Sequence, residues 1–314
     1  MRLAIAGGTG LVGRFIVEAA LAAGHDVTLL APAPPPDGFF SARLDWQRWQ
    51  LGEAPRLEGC DGLVHAALAH LPGRYRGGEG DDPEGFARLN LDGTLRLFAA
   101  AEAAGVGRAL FLSSRAVFDG YPAGSRLTPE MAPRPTTLYG EVKAEAEARL
   151  SRLALPVALL RATGVYGPAG PGKAHKWAGL FADYLAGLPI PPRVGSELHG
   201  ADLAQAALML LDRQARGPWH VSDIVLDRHD LLASVARLTG RTRPLPPRAD
   251  ASALSLLDCA AMRALGWRPG GVARLDRTLA ALLRGFGPAR RSPRAGAASP
   301  AGGAVGPSRR ASRE

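Results

Sequence analysis

Tyr139 and Lys143 lie four residues apart in Leu138-Tyr139-Gly140-Glu141-Val142-Lys143, the start of an amphipathic segment that runs on to Leu153. On a helix this spacing puts the phenol and the ammonium on one face. A phenol titrates near pH ~10 and is a poor acid or base at neutrality, but a neighbouring fixed cation favours the phenolate and lowers that value. Lowering it by about three units takes roughly 4 kcal/mol of differential interaction, within reach of one ammonium plus a charged cofactor. The chain has only three lysines, Lys143, Lys173 and Lys176, so the spacing marks a candidate proton relay. The same pattern alone also fits a Tyr and a Lys on a solvated helix face.

A relay needs elements to hold it and a cofactor beside it. Leu3 to Ala6 reads as a short apolar strand, followed by Gly7-Gly8-Thr9-Gly10-Leu11-Val12-Gly13 and a helical pattern from Arg14 to Ala23. Glycines at 7, 10 and 13 permit a tight turn, a close approach of backbone N–H groups to a pyrophosphate, and tight packing of helix on strand. The helix N-terminus then faces the anion. The next strand, Asp26 to Leu30, should end in an acid if the adenosine ribose carries a free 2′-hydroxyl, or lie near an Arg if it carries a phosphate. It ends instead in Ala31-Pro32-Ala33-Pro34-Pro35-Pro36, with Asp37 beyond the proline run. The missing acid tilts the choice toward NADP and leaves NAD open.

Further along, Gly62 to Ala67 reads as a buried strand and Phe86 to Ala104 as a helix with a buried Asn90, ended by Gly105. Between them, Leu71 to Pro83, with Arg74 and Arg76, reads as a solvated connection. Ala109 to Leu112 is a strand running into Ser113-Ser114-Arg115. Hydroxyls at a strand's carboxyl end in an open α/β sheet sit where ligands bind. Arg115, adjoining Ser114, is a candidate contact for an anionic substrate group. Lys173 and Lys176 read as a solvated basic turn, and Asp202 to Leu211 as a helix capped by its acid.

The remaining composition narrows the class. A chain of 314 residues with 46% hydrophobic residues can bury a sizeable core. The net charge of +9 would suggest nucleic acid or acidic lipid, but Arg284 to Glu314 holds seven Arg and one Glu, so +6 of it lies in that tail. Residues 286–314 are Gly-, Ala-, Pro-, Ser- and Arg-rich and are expected to be disordered, without the aromatic interleaving of a nucleic-acid site. The two cysteines, Cys60 and Cys259, make no disulfide framework. His65 and His70 stand without carboxylates or thiols at metal spacing, so no metal site is expected. No eighteen-residue apolar run and no signal peptide are evident, which gives the expectation of a cytoplasmic protein with no membrane contact.

Taken together, the motifs are similar to those of the extended short-chain dehydrogenase/reductases, the epimerase/dehydratase branch. The carriers are the glycine turn 7–13, His65-Ala66-Ala67, Asn90-Leu91-Asp92-Gly93-Thr94, Ser113-Ser114 before Val117-Phe118, Tyr139-Gly140-Glu141-Val142-Lys143, and Arg161-Ala162-Thr163-Gly164-Val165-Tyr166-Gly167-Pro168. His199-Gly200-Ala201-Asp202-Leu203 and Gly266-Trp267-Arg268-Pro269 follow in order, so the resemblance covers about residues 1 to 283. It implies an α/β fold with a doubly wound parallel (Rossmann) sheet over 1–165 and a smaller, mainly substrate-binding part over 166–285, whose strands can interleave with the first. It implies Tyr139 as acid/base, Lys143 on the nicotinamide ribose, and Ser114 bonded to the reacting oxygen. Gly7, Gly10, Leu11, Val12, Gly13, His65, Ala66, Ala67 and Lys143 would hold NAD or NADP, with Ser114, Arg115 and Tyr139 at a small-molecule substrate. Dimerisation through the Tyr-bearing helix is common in the family, which leaves a homodimer open.

Departures from the family pattern narrow the reaction. The adjacent Asp-Glu pair of nucleotide-sugar dehydratases is replaced by Arg115 and Ala116, which disfavours dehydration. Gly164 stands where many nucleotide-sugar enzymes have a substrate-contacting Asn, and the stretch around Gly195 lacks the usual phosphate-gripping Arg. The expectation is an NAD(P)-dependent oxidoreductase or epimerase acting on a carbonyl or secondary alcohol of a sugar-like or other small polar substrate. The alternative is a dinucleotide-binding regulatory protein without turnover.

Overall fold

The computed structural model describes residues 1–71 and 77–284. The expectations for Arg74, Arg76 and the basic tail 286–314 lie outside the described residues. In chain order the elements are β1 (Arg2–Ala6), α1 (Leu11–Ala22), β2 (Asp26–Ala31), β3 (Asp45–Arg48), β4 (Gly62–His65), α2 (Pro83–Ala103) and β5 (Arg108–Ser114). A 3-10 helix over Arg115–Phe118 leads to β6 (Arg126–Leu127), α3 (Leu138–Leu150), β7 (Val157–Ala162), β8 (Gly164–Tyr166), α4 (Ala178–Ala186), β9 (Val194–His199) and α5 (Gly200–Asp212). The last elements are β10 (Gly217–Val221), β11 (Ile224–Asp227), α6 (Arg228–Thr239), β12 (Leu256–Leu257), α7 (Ala260–Ala264) and α8 (Gly271–Leu282).

Seven parallel strands form one sheet in the order β10-β7-β5-β4-β1-β2-β3. The order reverses between β1 and β4, and the crevice outside the carboxyl ends at such a switch point is where an open α/β sheet takes its ligand. Side chains alternate between the two faces of a strand. Leu3 and Ile5 of β1 therefore join the core under α1 and α5, while Ala4 and Ala6 join the core under α2 and α3. A three-stranded sheet, β11-β9-β8, and a third core around Tyr166, Trp177, Phe181 and Tyr184 build the remainder.

Local chemistry explains most boundaries. Asp82 accepts from the Gly85 N–H at 2.8 Å with Pro83 following it, a strong start for α2. Thr137 does the same for α3, accepting from Gly140 at 3.2 Å. One expectation is corrected, and one strand is additional. α5 is capped by His199, whose Nδ1 accepts from the Ala201 N–H at 3.0 Å, while Asp202 is buried, accepts from the Gly270 N–H at 3.1 Å and lies 3.3 Å from the Arg274 guanidinium. The edge strand β3 has no counterpart in the sequence reading, because Asp45-Trp46-Gln47-Arg48 is mostly exposed and lacks apolar alternation.

The helix carrying Tyr139 is locked to the sheet by a buried ion pair. Glu147 of α3 accepts from Arg161 of β7, Nη2 to Oε2 at 2.6 Å and Nε to Oε1 at 3.0 Å, with both side chains 4% exposed. The Ser113 hydroxyl donates to the same carboxylate, and Arg161 also donates to the Pro129 carbonyl at 3.0 Å. Removing one partner of a buried pair leaves an uncompensated charge. Arg161→Met should therefore lower unfolding stability by roughly 3–5 kcal/mol, measured by urea denaturation.

Candidate active site

The glycine turn makes a backbone cradle at the switch point. Gly7 turns the chain with φ +80°, and a Cβ there would lie 2.4 Å from the Ala67 nitrogen and 2.5 Å from the Ala66 carbonyl carbon. A Cβ on Gly13 would lie 2.2 Å from the Gly7 oxygen. α1 starts at Leu11, and no side chain caps it. The N–H groups of Leu11, Val12 and Gly13 therefore open the helix without a side-chain acceptor, which is what a pyrophosphate at a helix N-terminus requires. The glycine-rich turn and the uncapped helix fit a dinucleotide.

Behind Ala66 and Ala67, His65 is 1% exposed; its Nε2 pairs with the Thr94 hydroxyl at 2.8 Å, and its Nδ1 is buried without a partner. Burial first, then the Lys143 charge, push its imidazole down to about 3, so it stays neutral. Asn90 braces the following loop, donating to the Ala69 carbonyl and accepting from the Ala69 N–H, both at 2.8 Å.

Lys143 ties α3 to β5 near the strand's carboxyl end. Lys143 is 6% exposed, and its Nζ donates to the Leu112 carbonyl at 2.8 Å. The ammonium sits 4.5 Å from the Phe111 ring centroid and 6.0 Å from that of Tyr139, one turn earlier on α3. Ser114 ends β5 two residues beyond Leu112, and its hydroxyl oxygen accepts from the Ala116 N–H at 3.1 Å. Of the serine pair, Ser113 is buried on Glu147 and Ser114 is half-buried at the strand end. Burial pushes the Lys143 ammonium down to about 8, with Glu147 acting in the opposite direction. Arg115, in the 3-10 helix, pairs with Asp119 at 3.3 Å within its own turn.

Three contributors escape the sequence reading. Glu147 is one turn past Lys143 on the same face, a spacing that offers a signal in retrospect. Arg161 is a lone charge in the otherwise apolar Val157-Ala158-Leu159-Leu160, and a charge in a buried strand demands a partner. Lys176 stands in an exposed turn, as its sequence suggests, but its Nζ also donates to Glu197 of β9, and only the folded chain brings these two together. Among the described residues no group of His, Cys, Asp and Glu could hold a metal. No helix among them is long and apolar enough to cross a membrane.

Comparison with known proteins gives this arrangement its context. The sequence pattern of the NAD dependent epimerase/dehydratase family matches residues 3–222. The chain belongs to that family. It is 33% identical over 290 residues to a 3-diazoavenalumate denitrifying reductase from a Streptomyces species, covering 85% of this chain and 88% of that protein. Its fold matches a UDP-glucose 4-epimerase from Thermus thermophilus solved with NAD, with a TM-score of 0.72, 26% identity, and coverage of 91% of this chain and 99% of that one. A UDP-glucose 4-epimerase from Thermotoga maritima, solved with UDP-glucose, has the same fold with a TM-score of 0.74, 21% identity, and coverage of 91% and 98%. As a family member, the chain is a nicotinamide-dependent enzyme of oxidoreductase or epimerase type. The Cβ collision at Gly13 gives a direct check: Gly13→Ala should weaken binding of the reduced dinucleotide by roughly tenfold or more, read from nicotinamide fluorescence, because the turn must open to admit the methyl.

Proposed function

We propose that the protein interconverts a carbonyl and a secondary alcohol on a small polar substrate, with Tyr139 as the proton donor and acceptor, Ser114 as the hydrogen-bond partner of the reacting oxygen, and Lys143 as the fixed cation. The observation that carries this reading is the burial of Lys143 between β5 and α3, its ammonium beside the Tyr139 ring and its carbonyl partner two residues from Ser114. An ammonium held beside a phenol favours the ionised form. The Tyr139 hydroxyl can then pass a proton to, or take one from, a substrate oxygen that the Ser114 hydroxyl orients. A nicotinamide dinucleotide on the glycine cradle would supply or accept the hydride. Gly7, Gly10, Leu11, Val12 and Gly13 would hold its pyrophosphate, His65, Ala66 and Ala67 would line its path, and Lys143 would reach its ribose.

The end of β2 supports NADP over NAD, since Ala31 and the prolines after it offer no carboxylate to a 2′-hydroxyl. Arg115 supports reduction or epimerisation over dehydration, because a guanidinium stands where elimination needs an acid and base. Net consumption of NADPH would mark a reductase, and isomer exchange without net consumption an epimerase. A nucleotide sugar is a second reading of the substrate, favoured by the likeness to the Thermus epimerase.

Tyr139→Phe should cut kcat about 10²- to 10⁴-fold while leaving the dinucleotide affinity unchanged, measured by steady-state turnover and fluorescence titration. Retained turnover in that variant would assign proton transfer elsewhere. The charge on Lys143 is present below about pH 8 and lost above it, so kcat/KM should fall as pH rises through that value.

A further inference from the structure

Ala31, the last residue of β2, stands where a carboxylate would take an adenosine 2′-hydroxyl, and Pro32 to Pro36 after it carry no polar side chain. The neighbouring strand supplies a cation at the same level. Arg48, the last residue of the edge strand β3, is the register partner of Ala31. Neighbouring strands lie about 4.8 Å apart and residues in register project to the same face, so Arg48 leaves the sheet directly beside Ala31. That face is the one α1 covers, since Ala31 belongs to the core beneath it.

Trp46 shares this face, being two residues before Arg48 on the strand. Its Nε1 donates to the Ala31 carbonyl at 3.1 Å, which lays the indole along the end of β2. The Trp49 N–H takes the same carbonyl at 2.9 Å, so the carboxyl ends of β2 and β3 are pinned together on both sides of Arg48. Arg48 itself is exposed, and among the described residues no ion pair or side-chain hydrogen bond engages its guanidinium. The other arginines that the sequence brings near β2 are placed differently. Arg14 is committed to the loop after β8, its Nη2 donating to the Pro168 carbonyl at 2.7 Å. Arg43 precedes β3 at its amino end, and at about 3.3 Å per residue the strand separates it from the edge where Ala31 ends.

We propose that Arg48, with the Trp46 indole at its side, is the specificity-determining residue that holds the 2′-phosphate of NADP, so that the phosphate is recognised from β3 and not from the end of β2. This rests on the reading of the cofactor as NADP and adds the residue that selects it. A guanidinium presents a planar fork that meets phosphate oxygens through two parallel N–H···O bonds. The N-terminus of α1 would take the pyrophosphate and Arg48 the 2′-phosphate, which fixes the adenosine half of the dinucleotide at two points.

Fluorescence titration of the full chain with NADPH and with NADH tests this without requiring turnover. The wild type should bind NADPH roughly tenfold or more tightly than NADH. Arg48→Ala, checked for an unchanged thermal transition, should lose that advantage while its NADH affinity stays the same. Arg48→Lys keeps the charge without the fork and should fall between the two. The inference is overturned if folded Arg48→Ala keeps the NADPH preference, if it weakens NADPH and NADH equally, or if Arg43→Ala alone abolishes the preference. A wild type that favours NADH would contradict the NADP reading and this inference with it, whereas a preference retained in Arg48→Ala contradicts the inference alone. None of these outcomes depends on the Tyr139 relay, whose failure would show instead as retained turnover in Tyr139→Phe.

Discussion

Lys143 carries an ammonium into a position 6% exposed, and the rest of the site is arranged around making that tolerable. A buried cation is costly unless it is paired or well hydrogen-bonded. Here it has the Leu112 carbonyl at 2.8 Å, the Phe111 ring face, and the Glu147 charge one helical turn away. These are enough to keep the lysine in place but not to restore its ordinary basicity. Its ammonium is consequently poised near the working pH range rather than locked in one state.

That balance depends on Arg161. The Glu147 carboxylate is engaged by the Arg161 fork and the Ser113 hydroxyl, so it faces Lys143 already largely compensated. The same three residues tie α3 to β5 and β7, which fixes where Tyr139 and Lys143 stand relative to Ser114. Structure and electrostatics are therefore one feature: the bonds that position the helix also set the field at its functional face. His65, neutral and buried on the neighbouring strand, adds no charge to compete with Lys143.

Much of this was legible in the residues themselves, for physical reasons that differ from place to place. Gly7 and Gly13 are readable because only a missing side chain permits the contacts their backbones make. Tyr139 and Lys143 are readable because helical spacing is local. The buried strands of the parallel sheet are readable as apolar runs, whereas β3 is an exposed edge and carries no such run. The pairing of Lys176 with Glu197 is not legible, because their meeting depends on β8 pairing with β9 and on Trp177 stacking on Tyr166, neither of which has a local signature. Gly164 was noticed only as a departure, and the folded chain turns that departure into a space with a defined occupant.

The proposed relay depends on the charge state of Lys143, which is directly measurable because Lys143, Lys173 and Lys176 are the chain's only lysines. Isotopic labelling of lysine alone would give three side-chain resonances to follow by NMR as pH is varied. One of them, absent in Lys143→Met, should titrate near pH 8. If the Lys143 resonance instead titrated at about 10.4, the value of a solvated lysine, the ammonium would be neither buried nor poised, and the proposed relay would lose its basis.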